Sequence, residues 1–153
     1  MVRKGLFAIF TAFLIFMIGT ANIQAEETTE SKIEDVLISN AKTHLGSRYL
    51  FGGTSHEGFD CSGFSQTVFK QTGIDIPRTT EEQYKLGTAV NKEDLQKGDL
   101  IFFETIRKGP SHLGIYIGDN KFIHSSSSKG VAISNLDDPY YWGPRYLGAR
   151  RVL

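Results

Sequence analysis

The chain has 153 residues, with 17 basic and 17 acidic side chains, so its net charge is zero when the histidines are neutral. This balance argues against nucleic acid or an anionic membrane surface as the main partner, because both attract a clear basic patch. The length fits one domain, large enough to bury a core without disulfide staples.

The first 25 residues have the pattern of a secretory signal peptide. Arg3 and Lys4 precede the apolar run GLFAIFTAFLIFMIG, and the polar TANIQA that follows ends in the small residue Ala25. We predict cleavage after Ala25, with Ala21 as a variant site and a retained anchor as the alternative. No cysteine stands directly after the run, so no lipid anchor is expected. The mature chain is expected to be secreted or extracytoplasmic, in the cell wall or periplasm, without a stable membrane anchor.

Two helices are predicted after a flexible polar lead over residues 26–31, which precedes a single domain over residues 32–153. The first has apolar residues at helical spacing and Gly46 as its end: Ile33, Val36, Leu37, Ala41 and Leu45. RYLFGGTSHEGF reads as a glycine-rich loop with a short extended start. The second helix begins at or just after Asp60, its N-cap, and stops near Gly73.

A short third helix is predicted from the capping-box spacing of Thr80 and Gln83, ending near Gly87. The rest of the chain has the alternation and turn signals of strands, in KGDLIFF, HLGIYIG, KFIHSS, VAISNL and YLGARRVL. Helices followed by sequential strands predict an α+β domain, with N-terminal helices packed on a central antiparallel sheet.

The single cysteine, Cys61, has three interpretations from composition: an intermolecular disulfide, a reactive thiol, or an inert buried side chain. Its place in the first turn of the second helix favours a reactive thiol. Unpaired N–H groups and the helix macrodipole stabilise a thiolate there. We therefore expect the pKa of Cys61 to lie below the ordinary thiol value.

Two histidines, His112 and His124, lie in the strands of the predicted hairpin HLGIYIGDNKFIH. A turn centred on Gly118 or Asp119 places them on one face of the sheet, directly opposite or displaced by two residues. A two-residue turn at Gly118 and Asp119 would place them on opposite faces. On one face they could serve a thiol as base and orienting group, bind zinc with Cys61, or be structural.

Six ordered motifs resemble the NlpC family of bacterial cell-wall cysteine peptidases. They are RYLFGG, FDCSGF, IPRTTEEQ, KGDLIFF, SHLGIYIGDNKFIHSS and GARRV, and they run from about Val36 to Val152. The resemblance implies a papain-like fold, no cofactor and no metal. It also implies Cys61 as nucleophile, His112 as general base and His124 as the residue that orients this base.

The same resemblance implies a set of substrate-binding residues. Tyr49 matches a family tyrosine near the nucleophile, and Asp60 and Ser62 match flanking residues that hold the free amino end of a stem peptide. Arg78 and Thr79 fall where relatives line the substrate groove. The chain departs from many relatives at Arg48 and Phe51, where proline and tryptophan are common; both changes leave the catalytic prediction intact.

The remaining histidines and one aromatic run have more ordinary interpretations. His44 and His56 are interpreted as structural or solvated, and the aromatic run Tyr140, Tyr141 and Trp142 as core or as the rim of a cleft.

The predicted function is a secreted peptidoglycan hydrolase that cleaves D-γ-glutamyl-diamino acid bonds in stem peptides. The expected partners are these peptides or muropeptides, and the chain is expected to act as a monomer. One alternative keeps the thiol and changes the bond, in an amidase, a D-Ala crosslink peptidase or an acyl transferase. The other is a catalytically silent wall-binding module.

Overall fold

The computed structural model describes residues 32–153, so the predicted signal peptide over 1–25 and the lead over 26–31 lie outside the described residues. Among residues 32–153, no helix is long and apolar enough to cross a membrane. The helices precede most of the strands, as predicted. Their bounds are 32–43 for α1, Cys61–Gln71 for α2, Thr80–Gln83 for α3 and Trp142–Arg145 for α4.

Only some of the apolar residues predicted for the buried face of α1 are buried. Leu37 and Ala41 are fully buried, whereas Val36 and Leu45 are 49% and 45% exposed. The helix ends at residue 43, and Gly46 takes a φ of +83° that few other residues tolerate. Leu45 therefore lies in the turn after the helix rather than on its buried face.

The strands form a six-stranded sheet and a separate small hairpin within residues 32–153. The sheet has the order β3-β8-β4-β5-β6-β7, with every neighbouring pair antiparallel. Its strands are β3 (Thr88–Val90), β4 (Leu100–Phe103), β5 (His112–Gly118), β6 (Lys121–Ser126), β7 (Gly130–Asn135) and β8 (Tyr146–Arg151). The predicted α+β class is confirmed, although strand β3 was not predicted.

The glycine-rich loop before α2 contains the small hairpin, which pairs β1 (Thr54–Ser55) with β2 (Gly58–Phe59). Tyr49 adds an isolated bridge to Phe59, so the loop is held beside the start of α2. The prediction of a plain loop was therefore too simple, because strands of two residues leave almost no periodic signal in a sequence.

Two apolar clusters cover the two faces of the sheet. The larger lies between the sheet and the helices and includes Leu37 from α1, Phe64 and Val68 from α2, and Leu113 and Ile115 from β5. The smaller lies on the other face and contains Ile101, Phe103, Tyr116, Phe122, Leu136 and Ala149, with Trp142 packed against it. Burying each large side chain stabilises the fold by about 1.5 to 3 kcal/mol.

Helix α3 begins one residue earlier than the predicted capping box. Thr79, in extended backbone, is the N-cap, and Glu82 bonds back to it, whereas Thr80 and Gln83 lie inside the helix and are buried. The buried amide of Gln83 donates to the backbone oxygens of Ser62 at 3.1 Å and Pro77 at 2.7 Å. The pattern was placed on the wrong pair because Gln83 ties α3 to α2 instead of capping it.

Candidate active site

Helix α2 begins as the sequence predicts, with Asp60 as N-cap and Cys61 in the first turn. Asp60 Oδ1 accepts the Gly63 N–H at 2.7 Å, which satisfies one of the unpaired donors of the helix start. Gly63 lies against the carbonyl of Gly53, so an added methyl group there would collide with that oxygen. The tetrapeptide DCSG therefore fixes where the thiol lies relative to the glycine-rich loop.

The thiol of Cys61 is half-buried, and Thr80 Oγ1 is one of its hydrogen-bond partners, 3.8 Å from Sγ. Burial raises the pKa of Cys61, and the charge of Asp60 raises it further. Hydrogen bonds from Thr80 and from the backbone of Leu113 and Ser62 lower it, but less than burial raises it. The expected fall in the pKa of Cys61 is therefore wrong: desolvation outweighs the helix start, and the resting thiol is protonated.

The two histidines lie on one face of the β5–β6 hairpin, displaced by two residues. Asp119 and Asn120 form a two-residue turn with φ values of 52° and 54°, which would by itself place the histidines on opposite faces. A bulge between Tyr116 and Gly118 adds one residue to β5, and this extra residue returns the two histidines to the same face. The predicted placement is thus confirmed, through a bulge that the sequence pattern did not indicate.

The register of the hairpin also explains why residue 114 is a glycine. Continuing the pairs of β5 with β6 puts Gly114 opposite His124. A methyl group at Gly114 would lie 2.6 Å from Phe122 Cδ2 and 3.1 Å from His124 Cβ. Only glycine therefore leaves room for both rings on this face.

Three side chains, His112, His124 and Ser134, form a continuous chain of hydrogen bonds. His112 Nε2 lies 2.9 Å from His124 Nδ1, and His124 Nε2 lies 2.9 Å from Ser134 Oγ in β7. Because Nε2 of His112 is engaged with His124, Nδ1 is the ring nitrogen of His112 that makes no bond to its partner histidine. Ser134 was not predicted, since a serine in a strand carries no sequence signal for a partner in the next strand.

Both histidines are neutral at physiological pH. Burial lowers the pKa of His112 to about 4. Burial, with the charges of His112 and Lys129, lowers that of His124 to about 2. Trp142 contributes to this burial, because its ring stacks on His112 and meets the ring of His124 edge-on. Trp142 therefore supplies a core contact and, with Tyr141, one wall of the site, whereas Tyr140 is 90% exposed and does neither.

One cavity of about 570 Å³ is lined by Tyr49, Cys61, His112 and His124 together. Its wall also includes Ser134 and Trp142, and the exposed turn between β6 and β7 with Lys129. The structure thus brings the three residues predicted for catalysis to one cavity with Tyr49. Asp60, Ser62, Arg78 and Thr79 lie outside this lining.

Asp60, Ser62 and Arg78 form a polar network beside the cavity. Arg78 donates to Asp60 Oδ2 at 2.6 Å and to Ser62 Oγ at 2.8 Å. The same Oδ2 accepts the Gly52 N–H at 2.9 Å, so each oxygen of Asp60 already has two partners. The network therefore ties the glycine-rich loop, the start of α2 and the residues before α3 together.

The remaining candidates have local partners. Thr79 caps α3 and bonds to Glu82 at 2.7 Å, at an exposed position. The pKa of Tyr49 is raised by burial and by the nearby charges of Cys61 and Asp60.

His44 packs edge-on against Phe59, with ring centroids 5.0 Å apart. Its ring also bonds to Gln71.

No group of three or more His, Cys, Asp or Glu side chains within residues 32–153 is arranged to hold a metal ion. His56, in the turn between β1 and β2, is exposed.

Comparison with known families identifies the architecture. The model of the NlpC/P60 family matches residues 46–151, which include the whole of the site described above. The chain belongs to the NlpC/P60 family. A crystal structure of an NlpC/P60 family protein from Bacillus cereus matches this chain with a TM-score of 0.73 and 49% sequence identity. The match covers 78% of this chain and 40% of that one.

Two curated relatives differ in their named activities. A gamma-DL-glutamyl hydrolase of Bacillus subtilis is 43% identical, over 96% of this chain and 36% of that protein. The murein DD-endopeptidase MepS/murein LD-carboxypeptidase of Escherichia coli K12 is 49% identical, over 71% of this chain and 57% of that protein. The chain thus spans about a third to somewhat over half of the length of these relatives.

Proposed function

We propose that this chain is a thiol endopeptidase that cleaves the bond between D-γ-glutamate and a diamino acid in peptidoglycan stem peptides. The observation that carries the proposal is the cavity that Cys61 shares with the hydrogen-bonded pair His112 and His124. A nucleophile, a base and a group that orients the base are the parts that covalent peptide hydrolysis needs. The name of the Bacillus subtilis relative supports the γ-glutamyl bond.

Acylation begins with a neutral pair rather than an ion pair, because the pKa of Cys61 is raised and that of His112 is lowered to about 4. His112 Nδ1 takes the thiol proton as Sγ attacks the γ-carbonyl carbon, and the carbonyl oxygen becomes an oxyanion. The Cys61 backbone N–H and the Tyr49 hydroxyl are the proposed donors to that oxygen. Such donors are each worth about 3 to 4 kcal/mol of barrier.

Collapse of the tetrahedral intermediate breaks the C–N bond, and His112 gives its proton to the leaving amine of the diamino acid. A thioester then joins Cys61 to the glutamyl fragment. Water attacks this thioester with His112 as base, which releases the γ-carboxylate and restores the thiol. His124 keeps the ring of His112 oriented through both halves of the reaction.

The polar network beside the cavity is the proposed site for the glutamyl side of the substrate. A γ-linked D-glutamate keeps a free α-carboxylate, which suits the guanidinium of Arg78. Tyr49, Asp60 and Ser62 are proposed to hold the free amino end of the peptide. Because each oxygen of Asp60 already has two partners, an ammonium group would share that carboxylate with Arg78 rather than replace it. Thr79 would act from the groove edge beside its capping bond.

The purified protein should be incubated with defined muropeptides and the products read by mass spectrometry. We expect the wild type to release fragments that begin with the diamino acid, and Cys61→Ala to release none. Identical product spectra from the two proteins would refute the mechanism. His112→Gln should be as inactive as Cys61→Ala, since the neutral thiol needs its base.

A second candidate is a peptidase for the D-Ala crosslink, favoured by the name of the Escherichia coli relative. It uses the same thioester chemistry and differs in the bond cleaved, as an amidase or an acyl transferase also would. Cross-linked dimeric muropeptides separate these cases, because a crosslink peptidase turns dimers into monomers without shortening the stem. A silent wall-binding module would bind sacculi equally well as wild type and as Cys61→Ala, and would cleave nothing.

We further propose that the protein is exported through the signal peptide over 1–25 and acts as a monomer outside the cytoplasmic membrane. N-terminal sequencing of the exported protein should begin at residue 26. Light scattering of the purified protein should give the mass of one chain.

A further inference from the structure

Ser134 ends the chain of hydrogen bonds that starts at His112. Its hydroxyl oxygen is 2.9 Å from His124 Nε2, while His124 Nδ1 is 2.9 Å from His112 Nε2. Ser134 lies on β7, where it pairs with Phe122 and stands diagonal to His124 across the β6–β7 ladder. Three neighbouring strands thus supply one residue each to the chain.

A chain of two neutral imidazoles has two possible proton arrangements. In the first, His112 carries its proton on Nε2 and donates to His124 Nδ1, and His124 donates from Nε2 to Ser134. In the second, Ser134 donates to His124 Nε2, His124 donates from Nδ1 to His112 Nε2, and His112 carries its proton on Nδ1. Only the first leaves a lone pair on His112 Nδ1 that can take the thiol proton.

The surroundings of Ser134 favour the first arrangement. Its side chain lines the open cavity, so its own hydroxyl proton can bond to solvent while the oxygen accepts from His124. The other side of His124 is covered by the rings of Phe122 and Trp142, which offer no acceptor of comparable strength. A donor on His124 Nε2 therefore finds its partner in Ser134.

We propose that Ser134 is a positioning residue: by accepting a hydrogen bond from His124 Nε2, it sets the tautomers of both histidines and leaves His112 Nδ1 free to act as the base. This inference rests on the proposed function, since it assigns His112 as base to a thiol. It extends the Cys61, His112 and His124 set by a fourth residue, which touches no reacting atom and acts only through His124.

Ser134→Ala and Ser134→Thr together distinguish the effect of the hydroxyl group on activity from an effect on folding. With a γ-D-glutamyl peptide as substrate, Ser134→Ala should lower kcat about tenfold, the effect of losing one hydrogen bond, and leave KM within about twofold. Ser134→Thr keeps the hydroxyl and should recover most of kcat. Ile133→Ala is the matched control, because Ile133 is 42% exposed in the same strand and does not line the cavity.

The tautomers can be read directly from ¹⁵N shifts of the histidine ring nitrogens in labelled protein. Wild type should show His124 protonated on Nε2 and His112 unprotonated on Nδ1, and Ser134→Ala should show mixed tautomers. A proton on His112 Nδ1 in the wild type, or an unchanged kcat in Ser134→Ala, would overturn the proposal.

The spectra do not depend on turnover. If they show the expected tautomers and the wild type cleaves no γ-D-glutamyl peptide, the proposed function fails while the role of Ser134 as a tautomer-setting residue stands.

Discussion

Trp142 lies over His112, with the two ring centroids 5.3 Å apart and the planes inclined by 30°. The same indole meets His124 edge-on, at 4.8 Å and 80°. It is the only tryptophan in the chain. One aromatic side chain therefore shields both members of the histidine pair from water, and this shielding contributes to the burial that lowers their pKa values.

Removing this cover should return the pKa of His112 from about 4 toward its ordinary value of 6.5. For Trp142→Ala we expect the acidic limb of the pH profile of kcat/KM to move to higher pH by one unit or more, because water reaches the ring. Trp142→Phe, which keeps an aromatic cover, should move it less. An acidic limb that stays near pH 4 in Trp142→Ala would show that other groups keep the pair dry.

The sequence predicted the elements with strong local signals. Asp60 before an apolar helical period marks the start of α2, and alternation marks β5 and β6, so the thiol and both histidines could be placed. The bulge in β5 could not be predicted, because it comes from pairing between two strands and not from either strand alone. Ser134 and Trp142 were missed as partners of the histidines for the same reason, because their contacts are made between separate elements and not within one.

The direction of the thiol pKa was mispredicted because a helix start is visible in a sequence and desolvation is not. The raised pKa of Cys61 gives a direct test. Its rate of alkylation by iodoacetamide should rise with pH and level off only above the ordinary thiol range, because the thiolate is the reacting form. A small free thiol of ordinary pKa is the control. A rate that is already at its plateau at pH 5 would indicate a thiolate–imidazolium pair instead.

The buried neutral histidines make the fold sensitive to acid. The pKa of His112 is lowered from 6.5 to about 4 in the folded state, so the unfolded chain binds a proton that the folded chain does not. The contribution of His112 to the free energy of unfolding is fully present above pH 6.5 and is lost as the pH drops toward 4. At pH 4 this one residue lowers the free energy of unfolding by roughly 3 kcal/mol. His124 acts in the same direction.

Urea unfolding between pH 7 and pH 4 measures this loss, and His112→Gln should remove much of the pH dependence. His56→Gln, at an exposed position, is the matched control. Equal slopes of stability against pH in wild type and His112→Gln would contradict the prediction.

Gly63 should be intolerant of a change that usually stabilises a helix. Replacing glycine by alanine within a helix normally gains about 0.5 to 1 kcal/mol. Here the new methyl group would strike the carbonyl oxygen of Gly53, which is backbone and cannot rotate away. We expect Gly63→Ala to lose about 1 to 3 kcal/mol in the free energy of unfolding, the usual cost of overpacking. Activity should fall as well, because relief of the collision moves the glycine-rich loop away from Cys61.

Lys70→Ala, at an exposed position of α2, is the control for helix propensity and should change neither the free energy of unfolding nor the activity appreciably. A Gly63→Ala protein as stable and active as the wild type would mean that the loop and the helix start are not held in contact.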